Sequence, residues 1–293
     1  MYLYGNEKVI AGVVLYNPKI QRLEENICAL LNQIDEIVLM DNHSANEDEI
    51  RCLSKKYNKI VWVRLDQNYG IAYALNEIML YAKRNSISWV LTMDQDSIAD
   101  GNLVETYVKY INMPSVMMMT CKICDRNTDG ELQNEGNEET IEYHEVNKCI
   151  TSGCFTNVNR CLEIGGFDNR LFIDYVDYEM CIRCKQSGYS IIEIDYMGLL
   201  HEVGKAKRVQ FLRRDLKIAG KYIDVYNEIP LRVYYFFRNT TYIVRKYGKS
   251  AKGYTSVLHI IWRAILVMCY EKPKWMKAKM ICKGVVDGFR MQI

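Results

Sequence analysis

Residues 88–97 read SWVLTMDQDS. A short run with the character of a buried strand, Ser88–Met93, ends in two carboxylates with one residue between them, followed by a serine. Alternate residues of an extended segment face the same way, so Asp94 and Asp96 can converge on one ligand. The pair reads equally well as a solvated strand end, because Asp is a common turn residue and Ser97 can cap a short turn. The neighbouring segments decide between the two.

Upstream, Val9–Tyr16 (VIAGVVLY) is an apolar run closed by Asn17-Pro18, and Ile20–Asn32 carries Leu23, Ile27, Leu30 and Leu31 at helical spacing. Glu36–Met40 is a second strand, closed by Asp41-Asn42-His43-Ser44. A polar helix follows over 46–57, then a strand over Lys59–Leu65 and a helix over Ile71–Arg84. Downstream come a helix over Asn102–Asn112, a fifth strand over Val116–Ile123 and a further strand over Tyr189–Asp195. Strands alternating with helices of this length imply an α/β fold with a mainly parallel sheet flanked by helices. In such sheets ligands collect at the carboxyl ends of the strands. Asn17, Asp41, Asn68 and the Asp94/Asp96 pair all fall at those ends. From Val209 onward the pattern reads as a helical C-terminal extension, giving expected domains of 1–208 and 209–293.

Composition narrows the functional class. The chain has 293 residues and a formal net charge of +2, which argues against nucleic-acid binding driven by a basic field. The N-terminal MYLYGNEKVIAGVVLYNP lacks the basic and apolar regions of a signal peptide. The longest apolar run, 256–270, is interrupted by His259 and Arg263 and is shorter than the roughly 20 residues a membrane span requires. Eleven cysteines, many of them in apparent core segments, suit reduced thiols in a cytoplasm. The pairs Cys121/Cys124 and Cys181/Cys184 have C-x-x-C spacing, but the two pairs are too far apart in sequence for a zinc ribbon, and buried thiols are the better reading. Asp125–Asn147 is polar and acidic and reads as a surface excursion or hairpin.

Three more segments carry candidate chemistry. NYGIAYALN (68–76) places Gly70 at a strand-to-helix turn, where backbone N–H groups can approach a phosphate or sugar; Asn68 reads equally as a helix cap. FIDYVDYE (172–179) sets three acids within six residues beside aromatics, and Glu179 with Arg183 makes an i,i+4 pair of structural type. HEVGK (201–205) continues to Lys207 and Arg208: a histidine after a strand, then clustered cations.

Taken in order, VVLYNP (13–18), VLMDNHS (38–44), NYGIAYALN, DQDS (94–97), SGCF (152–155), GGFDNRLFIDYVDYEMCIR (165–183) and HEVGK resemble family 2 glycosyltransferases with the Rossmann-like GT-A fold. DQDS, FIDYVDYE and the later YYFFRN (234–239) resemble the bacterial rhamnosyltransferase branch, which uses dTDP-L-rhamnose to build surface polysaccharides. Many members carry Glu-Asp where this chain has Val176-Asp177, a change that branch tolerates.

The resemblance implies inverting transfer that depends on Mg²⁺ or Mn²⁺. Asp177 would be the general base. Tyr16, Asn17, Asp41, Asn68, Gly70 and Asp94 would bind the donor, with Lys205 and Arg208 as further clamps. Asp96 and His201 would hold the metal. The partners implied are a nucleotide-sugar donor and a glycan or lipid-linked acceptor. For the C-terminal region, with Lys272, Lys274, Lys277 and Lys279 interleaved with Trp275 and Met276, three readings stay open: contact with the inner membrane surface, packing on the catalytic domain, or a homo-oligomer interface.

Overall fold

The structure is a computed structural model, and it describes residues 7–127, 142–201, 207–211, 214–215, 217–218 and 221–293. The chain divides into two compact units: residues 1–172 with 176–202, and residues 173–175 with 203–293.

In the first unit the predicted alternation is present. Strand β1 (Val9–Leu15) leads to helix α1 (Ile20–Leu30), β2 (Glu36–Asp41), α2 (Glu47–Ser54), β3 (Ile60–Arg64), α3 (Ile71–Arg84) and β4 (Trp89–Asp94). Then follow β5 (Ile98–Ala99), α4 (Leu103–Val108), β6 (Val116–Asp125), β7 (Tyr143–Val146), β8 (Cys154–Asn157), α5 (Val158–Glu163), α6 (Val176–Gln186) and β9 (Ser190–His201). One sheet takes the order β3-β2-β1-β4-β8-β6-β9-β5, with β7 also paired to β9. The first four strands are mutually parallel. Strand β8 runs antiparallel between β4 and β6, and β6 is parallel to β9.

The strands form because they are nearly continuous apolar runs, as a sheet covered on both faces requires. Leu23, Ile27 and Leu30 give α1 one fully buried face against Val9, Ala11, Val13 and Leu15 of β1. Each such side chain contributes about 1.5–3 kcal/mol on burial. The register aligns Leu15 with Asp41 on one side and Val14 with Asp94 on the other. Asp41 and Asp94 therefore stand on the two strands flanking β1, about 10 Å apart along one end of the sheet.

Two expectations need correction. Strand β9 does not end at Asp195 but runs on to His201, because its far end pairs with β6, Asp125 opposite His201, through register shifts near Cys121 and Lys122. The helical reading from Val209 starts too early. Lys207–Arg208 pairs antiparallel with Asp224–Val225, and Val209 is buried with Val225 and Leu266. Helices begin at Pro230, whose fixed φ suits a first helical turn. Most of the acidic excursion, 128–141, lies outside the described residues; its tail, β7, pairs with β9.

In the second unit, α7 (Pro230–Tyr247) packs on α9 (Lys274–Arg290), with α8 (Val257–Tyr270) between them in sequence. Gly284 and Gly288 permit this contact, because a Cβ on either would fall 2.6 and 2.5 Å from the backbone oxygens of Tyr234 and Arg238. Ile173–Tyr175 joins this unit: Asn239 Nδ2 donates to the carbonyls of Ile173 and Asp174, and Arg232 pairs with Asp174 at 3.1 Å. These bonds hold Asp174 and Tyr175 at φ 65, a left-handed conformation uncommon for either residue type. Among the described residues no helix is long and apolar enough to cross a membrane.

Candidate active site

The DQDS turn is built from buried polar groups. Ser97 N–H donates to the Asp94 carbonyl, and the fully buried Asn26 on α1 donates to both the Asp94 and Ser97 carbonyls at 3.0 and 2.7 Å. A hydroxyl relay then crosses the sheet. Asp94 N–H donates to Ser152 Oγ at 3.1 Å, Ser152 Oγ donates to Ser97 Oγ at 2.9 Å, and Ser97 Oγ meets His201 Nδ1 at 2.8 Å. The continuation of β9 carries His201 to this point. If Nδ1 bears the proton and donates to Ser97, the Nε2 lone pair is available to a cation.

Asp94, Asp96 and His201 also interact electrostatically. Burial raises the Asp94 carboxyl above its ordinary range; His201 opposes that rise and Asp96 adds to it. A carboxylate discouraged from ionising by burial and by a like charge is one that a divalent cation would stabilise. Two carboxylates and an imidazole with its other nitrogen engaged are a donor set that fits Mg²⁺ or Mn²⁺. Among the described residues no three His, Cys, Asp or Glu side chains are already gathered on one point. The four C-x-x-C thiols are buried and form no disulfide, and burial pushes Cys121 up to about 12.

At the end of β2 the fully buried Asp41 uses Oδ1 to accept from Ser44 N–H at 2.9 Å. Its Oδ2 has no hydrogen-bond partner. Arg64 Nε stands 3.6 Å from that oxygen and is held closer by Glu47, at 2.5 Å. A buried carboxylate oxygen without a hydrogen bond can accept one from an N–H donor that reaches it. Tyr16, half exposed, follows β1 beside it; its backbone bonds to the Gln95 side chain in both directions. Asn17, at φ 47, donates its N–H to Ser44 Oγ and accepts from Ala45 N–H. The ends of β1, β2 and β4 are thus tied into one rim.

Asn68 does not cap α3 directly; its Oδ1 accepts from Gly70 N–H at 3.0 Å in a local turn. Gly70, at φ 90, makes room for backbone: a Cβ there would lie 2.5 Å from the Phe172 carbonyl oxygen, which accepts from Ile71 N–H. The NYGIAYALN and FIDYVDYE segments therefore touch, a contact invisible to sequence reading. Asn76 strengthens it by holding Phe167 through both its backbone N–H and its carbonyl. Asp177 lies in the first turn of α6, where a carboxylate is favoured by the helix dipole. The expected Glu179–Arg183 pair forms at 2.7 Å, with Arg183 also donating to the Ile164 and Gly166 carbonyls. Lys205 lies outside the described residues. Arg208 is in the second unit, its guanidinium 3.9 Å above the Tyr222 ring and 3.7 Å from Asp215.

A rim of parallel strand ends carrying a buried acceptor, two further carboxylates and an oriented histidine is where an α/β sheet of this kind places a ligand. Residues 11–161 match the family model of glycosyl transferase family 2, and the chain belongs to that family and is a glycosyltransferase. It is 25% identical to the dTDP-rhamnosyl transferase RfbF of Shigella flexneri, over 97% of this chain and 96% of that one. In fold it is similar to S. aureus TarS 1–349 (TM-score 0.54, 12% identity, 97% of this chain and 72% of that). It is also similar to GalNAc-T7 solved with UDP, GalNAc and Mn²⁺ (TM-score 0.61, 12% identity, 98% and 56%).

Proposed function

We propose that the protein transfers L-rhamnose, with inversion, from dTDP-β-L-rhamnose to a hydroxyl of a glycan or lipid-linked oligosaccharide in bacterial surface polysaccharide synthesis, acting at the cytoplasmic face of the membrane. The observation that carries the nucleotide part is the open Oδ2 of buried Asp41. It matches the ring N–H that thymine and uracil share. The rhamnosyl part is supported by the activity for which the Shigella relative is named.

In this reading Asp41 accepts from the base, Tyr16 and Asn17 lie along the nucleoside, and Asp94 reaches the ribose hydroxyl. Asn68 and Gly70 line the phosphate and sugar, with Lys205 and Arg208 as outer clamps. Asp96 and His201 would hold a divalent ion together with diphosphate oxygens. When bound, that ion stabilises the charge that grows on the departing nucleotide. Asp177 takes the proton of the acceptor hydroxyl as that oxygen attacks the anomeric carbon. Residues 1–208 would carry donor binding and catalysis, and 209–293 acceptor, membrane or oligomer contacts.

Thymine and uracil present the same N–H, and the TarS fold relative has been solved with UDP and with UDP-GlcNAc. A UDP-hexose donor is therefore the second reading. The test is donor turnover by the purified protein across dTDP-rhamnose and UDP-hexoses, with and without Mg²⁺ or Mn²⁺. Turnover confined to a UDP-sugar would replace the rhamnosyl reading, and no transfer from any donor would leave a binding role.

A further inference from the structure

Helix α8 presents apolar groups to solvent and turns its charge inward. Its inner side sets Ile260, Ala264 and Val267 against Val233 and Phe237 of α7, and Leu266 against Val209 and Val225. Arg263 also points inward, meeting Glu271 at 2.7 Å, and Glu271 meets the fully buried Lys277 at 2.7 Å. The outer side carries Leu258, Ile261, Trp262, Ile265 and Met268, all exposed, with Leu258 at 78%. These positions recur at helical spacing along one face. A helix bathed only in water would carry polar groups there.

The surroundings say what covers this face. Trp275, 87% exposed, and Met276 start α9 just beyond the end of α8. Exposed Lys249 and Lys252 precede α8, and exposed Lys272, Lys274, Lys279 and Lys283 follow it. Residues 249–293 hold nine basic and two acidic residues. Both acids are engaged inside the unit: Glu271 with Arg263 and Lys277, and Asp287 with the Tyr234 hydroxyl at 2.9 Å. A second copy docked two-fold on this face would set like charges against each other. At about 21 Å, α8 is too short to cross a bilayer but can lie along its surface.

We propose that the exposed face of α8, with Trp275 and the flanking lysines, docks the enzyme on an anionic lipid bilayer: apolar side chains enter the interface and the lysines meet lipid headgroups. The inference stands apart from the donor assignment, and it supplies a reason for a lipid-linked acceptor in the proposed function.

The test uses the full-length purified protein and two kinds of vesicle, phosphatidylcholine alone and phosphatidylcholine with phosphatidylglycerol. The wild type should co-sediment with the anionic vesicles, less so as salt rises, and its tryptophan emission should shift to the blue; Trp275→Phe should lose part of that shift, and Trp262→Phe with Trp275→Phe most of it. Replacing Lys272, Lys274 and Lys279 with Gln should weaken binding about fivefold per lysine. Leu258→Gln with Ile265→Gln should abolish it while leaving the thermal melt unchanged, since both side chains are exposed. Absence of wild-type binding at low salt, or binding unaffected by the Leu258/Ile265 pair, would overturn the proposal. So would equal binding to both vesicle types. A wild-type dimer that the Leu258/Ile265 pair splits, with no response to vesicles, would assign the face to a second copy instead.

Discussion

Asp41 and Glu271 are both fully buried carboxylates, yet their surroundings differ. Glu271, at the corner between α8 and α9, has a cation 2.7 Å from each oxygen, and Lys277 is further held by Asn227. Asp41, at the end of β2, has one oxygen bonded to Ser44; neither its Oδ2 nor Glu271 Oε1 accepts a hydrogen bond, but Glu271 Oε1 has Arg263 at 2.7 Å whereas Asp41 Oδ2 has only Arg64 Nε, at 3.6 Å. A buried charge with a cation close to each oxygen is structural, and removing one partner leaves the others exposed to the full desolvation cost. A buried charge with an open oxygen forgoes stability that a ligand can restore. The same contrast holds for surfaces: the first unit keeps polar groups at its rim, whereas α8 turns them inward and exposes apolar ones.

Breaking the chemistry should give the largest effect. Asp177→Asn should lower the transfer rate by about 10²–10⁴-fold with nucleotide affinity nearly unchanged, read by donor turnover and calorimetry. Substantial transfer by that variant would remove Asp177 from the role of base. The structural carboxylate comes next. Glu271→Gln should cost about 3–5 kcal/mol in urea unfolding, and adding Lys277→Met should recover part of the loss. Nucleotide binding should be untouched in any fraction that remains folded.

Asp41→Asn should do the reverse. Its stability should change little, because Oδ1 is retained and Oδ2 loses only the 3.6 Å approach of Arg64, which Glu47 holds more closely. Nucleotide affinity should fall by about 1.5–3 kcal/mol, the usual worth of a hydrogen bond to a charged group. If Asp41→Asn unfolds the protein as Glu271→Gln does, the distinction between the two carboxylates fails. Asn26→Ala should have the smallest effect, about 1–2 kcal/mol of stability from two lost bonds to the DQDS carbonyls. Nucleotide binding measured with Mg²⁺ or Mn²⁺ should weaken as well, because the turn carrying Asp96 loosens; an unchanged metal titration would confine Asn26 to folding.

Much of this was legible along the chain. Strands β1 to β4 and helix α3 stand where apolar runs and turn residues put them, because each is specified by its own side chains. The carboxylates at the strand ends were legible for the same reason: a strand buried on both faces can carry polar groups only at its ends. Asn26, Asn76 and Ser152 were not singled out, because an Asn in a helix and a Ser in a loop gain their meaning from carbonyls and hydroxyls tens of residues away. The extension of β9 to His201 went unread likewise, since that stretch of strand exists through its pairing with β6.

By itself the sequence determined the α/β alternation, the polar strand ends and the order of motifs that marks a glycosyltransferase, since periodicity and turn chemistry are local. Only the tertiary structure decided which buried carboxylates sit against close cations and which do not. It alone showed that Gly70 makes room for Phe172, and that the face α8 exposes is the apolar one. Each of these depends on what a side chain meets across space, and spacing along the chain does not carry that.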